Sequence, residues 1–367
     1  MGRAKMTCCG ADTSKIGVNF RRFLEGEDVR RPLVWLYGAV PSFAVQNLGY
    51  AAVTAYNDPE KSFRAQIKTT KMYGDDGIPR MAVGGASDVT WAFGGDIKWP
   101  TGQYDMAPTA TRYPVTAEAD VNGVQLPGDI ARAGPLPIYL TLARLQQAHG
   151  LPVFPFITSP IEGARSLCGP ELLLRWMVRQ PALVHRLLRI ATDYSVAVIR
   201  LFAKIFPPSN ILIYLAAPMA SNQMISPRFF ETYVLPYQTE LHQETLNVGI
   251  RHIYCHICGE QNKNLPLWRQ IPMGEPGIVS FGHEVDLVTA IDNFGDQCII
   301  AGNIEPAVIH LGPPEEIYRL CRQALDKAHH APLGYILMPG CGIPPDVPPY
   351  HLFMLKKAHT DFMKSVL

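Results

Sequence analysis

A short, continuously apolar run followed by a longer stretch with apolar residues at helical spacing recurs along this chain. The runs cover 33–39, 78–84, 153–158, 211–216, 250–258, 278–283, 297–303 and 334–341. Unbroken apolar runs are what strands buried on both faces look like, and parallel sheets bury both faces. Between the last six runs lie helical stretches: 170–205 as two helices, 226–248 opening on Ser226-Pro227, and 313–328 opening on Pro-Pro-Glu-Glu, with 350–366 after the eighth run. A serine N-cap with proline at the first helical position, and acid at the positive end of a helix, are start signals with a physical cause. Eight strand–helix units in succession predict a (β/α)8 TIM barrel.

Such a barrel takes ~250 residues, and the chain has 367. The surplus is assigned to an N-terminal extension, 1–31, and to an insertion after the second strand, 86–147, within a barrel spanning 32–367. The insertion is expected to hold a β-hairpin at 113–125 and a helix. A doubly wound two-domain fold is the competitor. It would need a glycine-rich nucleotide turn after the first strand, and Tyr37-Gly38-Ala39-Val40-Pro41-Ser42-Phe43 is not one. Gly84-Gly85-Ala86 is too short a signal to count.

Thirty-three Lys and Arg stand against 32 Asp and Glu. That balance argues against a nucleic-acid coat, so no nucleic-acid partner is expected. No run of 18 apolar residues occurs, and no membrane association is expected. The first residues lack the apolar core of a secretory signal, so the expected location is cytoplasmic. A homodimer is left open. Eight cysteines in a reducing compartment are read for metal or catalysis before disulfides.

The densest chemistry is Ile253-Tyr254-Cys255-His256-Ile257-Cys258-Gly259. A redox reading of Cys255 and Cys258 needs both sulfurs near one helix start. On a strand, side chains alternate, so His256 and Cys258 share one face and Cys255 points the other way. Cys341, at the end of the eighth strand, offers a third ligand on the same barrel mouth. One imidazole and two thiolates suit zinc with a fourth position open. The competing reading is a buried cysteine and a satisfied core histidine.

Four motifs then carry a resemblance: His256-Ile257-Cys258-Gly259, Asp286-Leu287, Gly302-Asn303-Ile304-Glu305-Pro306, and Ile336 to Pro345 around Gly340-Cys341-Gly342. In that order they resemble the uroporphyrinogen decarboxylase-like superfamily, and within it the zinc-dependent corrinoid methyltransferase branch. The likeness runs from about Asp58 to the C-terminus. It implies a (β/α)8 barrel with Zn2+ held by His256, Cys258 and Cys341, which are also the catalytic centre. It further implies a corrinoid (cobalamin) brought by a separate corrinoid protein, and a small-molecule methyl donor or acceptor. The decarboxylase branch carries a histidine where this chain has Cys341, and an arginine in the segment matching Trp35 to Pro41, which has none here.

Several residues are candidates for the rest of the site. Glu284 and His283, ending the sixth strand, are the nearest fourth ligands, although either serves equally well as a polar residue of the barrel mouth. Asn222, Gln223 and Asn303 could hydrogen-bond substrate or hold their own turns. Trp35, Tyr37 and Trp91 could line an aromatic pocket or pack in the core. His329-His330 falls on the bottom side and is discounted.

The first-strand exit (Trp35, Tyr37, Phe43) reads as aromatic and uncharged, with neither Arg80 nor Lys98 an obvious clamp. The expected direction is therefore methyl transfer from an O-methyl compound to the corrinoid protein. The alternatives are transfer from methylcorrinoid to a thiol, metal-free decarboxylation of a tetrapyrrole acid, and a binding protein without turnover.

Overall fold

The computed structural model describes residues 16–36, 41–83, 87–102 and 107–366. Among the described residues the strands are β1 (Leu33–Val34), β2 (Asp96–Lys98), β3 (Thr109–Arg112), β4 (Phe156–Thr158), β5 (Leu212–Ala216), β6 (His252–Ile257), β7 (Gly277–Phe281), β8 (Cys298–Ile304) and β9 (Tyr335–Pro339). Seven form one parallel sheet in the order β1-β9-β8-β7-β6-β5-β4. Helices follow the strands, and the whole is a (β/α)8 barrel.

The eighth place in the wall, between β1 and β4, belongs to the expected second strand, and there the structure corrects the sequence reading. The described part of 78–84 makes no ladder, although Ile78, Met81 and Val83 are buried. Pro79 has no N–H to give, and side chains take several of the segment's other backbone groups. Gln66 donates to the Arg80 carbonyl at 2.9 Å and accepts from the Arg80 N–H at 2.8 Å. Gln146 donates to the Pro79 carbonyl at 2.6 Å and accepts from the Phe154 N–H at 3.0 Å, tying this segment to the chain entering β4. On the other side the Val34 N–H donates to Asp76, and the Asp76 N–H to the Val34 carbonyl. These backbone groups are satisfied without a strand partner.

A second correction concerns the insertion. Its hairpin is β2 with β3, which are antiparallel, and not 113–125. In that stretch the Asp120 carboxylate accepts from the Thr116 N–H, the Thr116 hydroxyl and the Ala117 N–H at 2.8–2.9 Å. These bonds wind Glu118–Gly123 into a 3-10 turn, because an Asp side chain competes locally with any ladder. The expected helix is present at Leu136–Ala148.

Elsewhere the punctuation reads as expected. Ser226 caps Pro227–Tyr233 by accepting from the Phe229 N–H. Residues 170–205 divide at Gln180 into Pro170–Arg179 and Pro181–Ile205. Among the described residues no helix is long and apolar enough to cross a membrane.

Inside the barrel, the rings of Trp35, Phe154, Tyr214 and Tyr254 meet at centroid distances of 5.1–5.9 Å. This aromatic layer is the floor beneath the barrel mouth. Trp35 is 3% exposed and also packs edge-on against Phe20 of the helix Val18–Leu24. Its place is in the core.

Candidate metal centre

His256 lies near the end of β6, Cys258 just past it, and Cys341 just past β9. Two strands separate β6 from β9 in the sheet, so curvature of the barrel wall brings their ends together across the mouth. One ligand atom from each of the three residues lies within 4.8 Å of the others.

Glycines let the neighbouring loops come this close. Gly259 has φ +81°, a left-handed turn directly after Cys258, and a Cβ there would stand 3.0 Å from that of Ser221. At Gly282 a Cβ would meet the Glu284 carboxylate at 2.2 Å and the Gly259 nitrogen at 3.0 Å.

The imidazole is held from behind. His256 Nδ1 lies 2.6 Å from Ser280 Oγ on the adjacent strand, which leaves Nε2 to face the sulfurs. Such a bond sets tautomer and ring angle for a metal-ligating histidine. Ser280 was not singled out from sequence. Its signal was there in principle, because it stands level with His256 in the parallel register. Removing a partner of this kind costs a metal site roughly 10–100-fold in affinity. Ser280→Ala should therefore weaken metal binding by that order, measured by competition with a chelator, while the melting temperature changes little.

The Cys258 thiol donates to Cys341, and that bond pulls Cys341 down to about 4, against burial and with help from His256. The same bond, then burial, then the charges of Cys341, Glu162 and Glu284 push Cys258 up. Two half-buried thiolates this close, with the charges of Glu162 and Glu284 near Cys258, repel each other, so ionising one sulfur opposes ionising the other. A divalent cation would let both ionise, and the donor set of one imidazole and two thiolates suits a soft, tetrahedral metal.

The structure brings the three expected ligands together and leaves Glu284 just outside their group. The Glu284 Oε2 is buried without a hydrogen-bond partner, with the His283 ring 3.6 Å away. Glu162, which the sequence reading missed, is 4% exposed. It accepts from the Met219 N–H at 2.6 Å and pairs with Arg165 at 2.7 Å.

The other candidates scatter. Asn303 donates to the Val285 carbonyl at 2.7 Å and lines a cavity of about 380 Å3 with His283, Glu284, Glu305 and Lys327. Asn222 holds the loop after Cys258: its N–H donates to the Glu260 carbonyl, and its Oδ1 accepts from the Lys263 N–H. Trp91 packs edge-on against Trp99. Tyr37 lies outside the described residues. His329 and His330 line a pocket with Val29 and Arg30, away from the mouth.

Cys255 takes the opposite face, as alternation requires. It is fully buried, outside the ligand group, and close enough to Cys298 for their charges to interact. Burial pushes its thiol up, so it stays a neutral apolar group. Cys255→Ala should keep the full metal content and lose roughly 1 kcal/mol of stability through a small cavity. Loss of metal in that variant would reverse the assigned strand phase.

Fold and site together define a (β/α)8 barrel with a His/Cys/Cys cluster able to hold a metal ion at the C-terminal mouth, where enzymes of this architecture keep their active sites. The profile of the uroporphyrinogen decarboxylase (URO-D) family matches residues 18–362, and the chain belongs to that family. A methylated-thiol–coenzyme M methyltransferase of Methanosarcina mazei is 30% identical over 223 residues, 58% of this chain and 57% of that protein. The methylcobamide:CoM methyltransferase MtbA of Methanosarcina acetivorans is 28% identical over 260 residues, 68% of this chain and 70% of that protein. A uroporphyrinogen decarboxylase of Syntrophotalea carbinolica is 30% identical over 177 residues, 48% of each chain. Among solved structures, a methyltransferase from Methanosarcina mazei superposes with a TM-score of 0.77 at 20% identity, over 93% of this chain and 97% of that one. That likeness bears on the fold.

Proposed function

We propose that this chain is a zinc-dependent methyltransferase that moves a methyl group between a corrinoid, carried by a separate protein, and the sulfur of a small thiol. The observation that carries the proposal is the cluster of His256, Cys258 and Cys341 at the barrel mouth. The relatives named for methylcobamide and methylated-thiol chemistry support it. So does the departure from decarboxylases at Cys341, since a second thiolate belongs to a metal site and not to a metal-free acid pocket.

Zinc bound there would favour the thiolate form of a thiol at its open position. His256, Cys258 and Cys341 would hold the ion. Ser280 fixes the imidazole, and Asn222 fixes the loop that carries Cys258. The two Cys charges offset the charge of the divalent ion, so a third thiolate would keep excess electron density. This balance suits a nucleophile better than an acid acting on an ether oxygen. Glu284, whose Oε2 is buried without a hydrogen-bond partner, would supply a fourth ligand before thiol binds. The corrinoid of the partner protein would supply the methyl group and keep the electron pair of the broken bond, while the thiolate held at His256, Cys258 and Cys341 would supply the pair for the new carbon–sulfur bond.

An O-methyl donor is the second reading. Its basis was an aromatic mouth, and Trp35 and Phe43 are both core residues at 3% exposure. Two mixtures separate the readings: reduced corrinoid protein with methyl ethers, and methylated corrinoid protein with thiols. The cobalt absorbance should change in the second. A change only with ethers would restore the donor reading.

A further inference from the structure

The stretch that carries His256 and Cys258 is gripped by the segment 217–222, which follows β5. The Ala217 N–H donates to the His256 carbonyl at 3.1 Å, and the Asn222 N–H to the Glu260 carbonyl at 2.6 Å. In return the Lys263 N–H donates to Asn222 Oδ1 at 3.1 Å, and the Asn264 side-chain amide to the Ala220 carbonyl at 2.8 Å. Cys258 lies between these anchors, and His256 is one of them. Where the segment stands therefore decides where the imidazole and the first sulfur stand.

The segment is itself held by Glu162. Pro218–Ala220 is a 3-10 turn, and the opening N–H groups of a helical turn find no partner within it. Pro218 has no N–H, so that of Met219 is the first left over. Glu162, in the helix Pro160–Cys168 that follows β4, takes it: Oε1 accepts from the Met219 N–H at 2.6 Å, while Oε2 accepts from Arg165 Nε at 2.7 Å. With both oxygens engaged, Glu162 is placed to hold rather than to ligate, whereas Glu284 Oε2 has no partner. Glu162 is nevertheless near enough for its charge to act on Cys258. Resting on the zinc reading of the cluster, we propose that Glu162 is a positioning residue of the metal centre: through the Met219 N–H it fixes the segment 217–222, and that segment sets His256 and Cys258 in place before the ion arrives. Sites whose ligands are locked by such outer bonds bind more tightly than sites that must assemble.

The test is metal binding by the purified chain, read in three ways: zinc affinity by competition with a chelator, the absorption bands of the cobalt(II)-substituted protein, and thermal unfolding of the metal-free protein. Glu162→Leu removes the acceptor. Zinc affinity should fall by roughly 10–100-fold, and the cobalt bands should move, since they report the arrangement of the ligands. Glu162→Gln keeps an oxygen for the Met219 N–H but leaves Arg165 without its charge partner. It should regain most of the zinc affinity and the wild-type bands while its melting temperature stays low. A merely structural role would move metal affinity and melting temperature together. Should Glu162→Leu not fold, Asn222→Ala loosens the same grip from its other end. It should weaken zinc binding by about 10-fold, with little change in melting temperature. Zinc affinity and cobalt bands equal to wild type in Glu162→Leu, or in Asn222→Ala where the leucine variant does not fold, overturn the proposal. So does a glutamine variant that loses as much zinc as the leucine one. A wild-type chain that takes up no zinc removes the zinc reading, and the proposal with it; a wild type that binds zinc beside variants that bind it equally well removes the proposal alone.

Discussion

Replacing Cys341 with serine should strip the protein of zinc while leaving the barrel folded. A hydroxyl of the same size keeps the packing, but it remains protonated where a thiolate ionises, and it is a harder donor. Cys341 lies past the end of β9, on the rim and outside the barrel wall, so little of the core depends on it. Metal affinity should fall by roughly 100-fold or more, beyond the loss expected for an outer partner such as Ser280. Zinc measured after dialysis against a chelator, with thermal unfolding as the control, reads both halves of the statement. Cys258→Ser should behave alike. Full zinc occupancy in either variant would remove that sulfur from the site.

Gln66→Leu should be the most damaging substitution away from the mouth. Gln66 is fully buried, and its amide takes both backbone groups of Arg80. A leucine fills the space and leaves a buried N–H and a buried carbonyl unmet. At about 1–3 kcal/mol for each, the loss should be about 4 kcal/mol, a large share of the 5–15 kcal/mol that holds an ordinary domain together. Urea unfolding gives the number. A loss under about 1 kcal/mol would show that water or another side chain takes over, and that the second barrel segment does not depend on this amide.

That amide also marks where the sequence stopped being legible. Seven of the eight expected strands can be read as apolar runs because parallel strands bury both faces, and the pattern survives in one dimension. The remaining one, the second run at 78–84, has the right composition, but Pro79 has no N–H for a ladder. Its support comes from Gln66 and Gln146, which are distant in sequence and look like ordinary helix residues. The grouping of the three candidate ligands is legible for a different reason. Strand alternation sorts His256 and Cys258 from Cys255, and the barrel places the ends of β6 and β9 on one face. Trp35 and Phe43 were misplaced at the mouth because an aromatic residue at a strand end looks the same in sequence whether it lines a pocket or closes a core.

The most direct measurement is the rate of methyl loss from methylated corrinoid protein to a thiol, titrated with zinc from the metal-free enzyme and followed by the cobalt absorbance. The rate should rise from near zero and saturate at one zinc per chain, with thioether formed in equal amount to the methyl lost. A metal-free protein that reacts as fast as the zinc-loaded one, or a loaded protein that leaves the methylcorrinoid unchanged with every thiol offered, would contradict the assignment of this site.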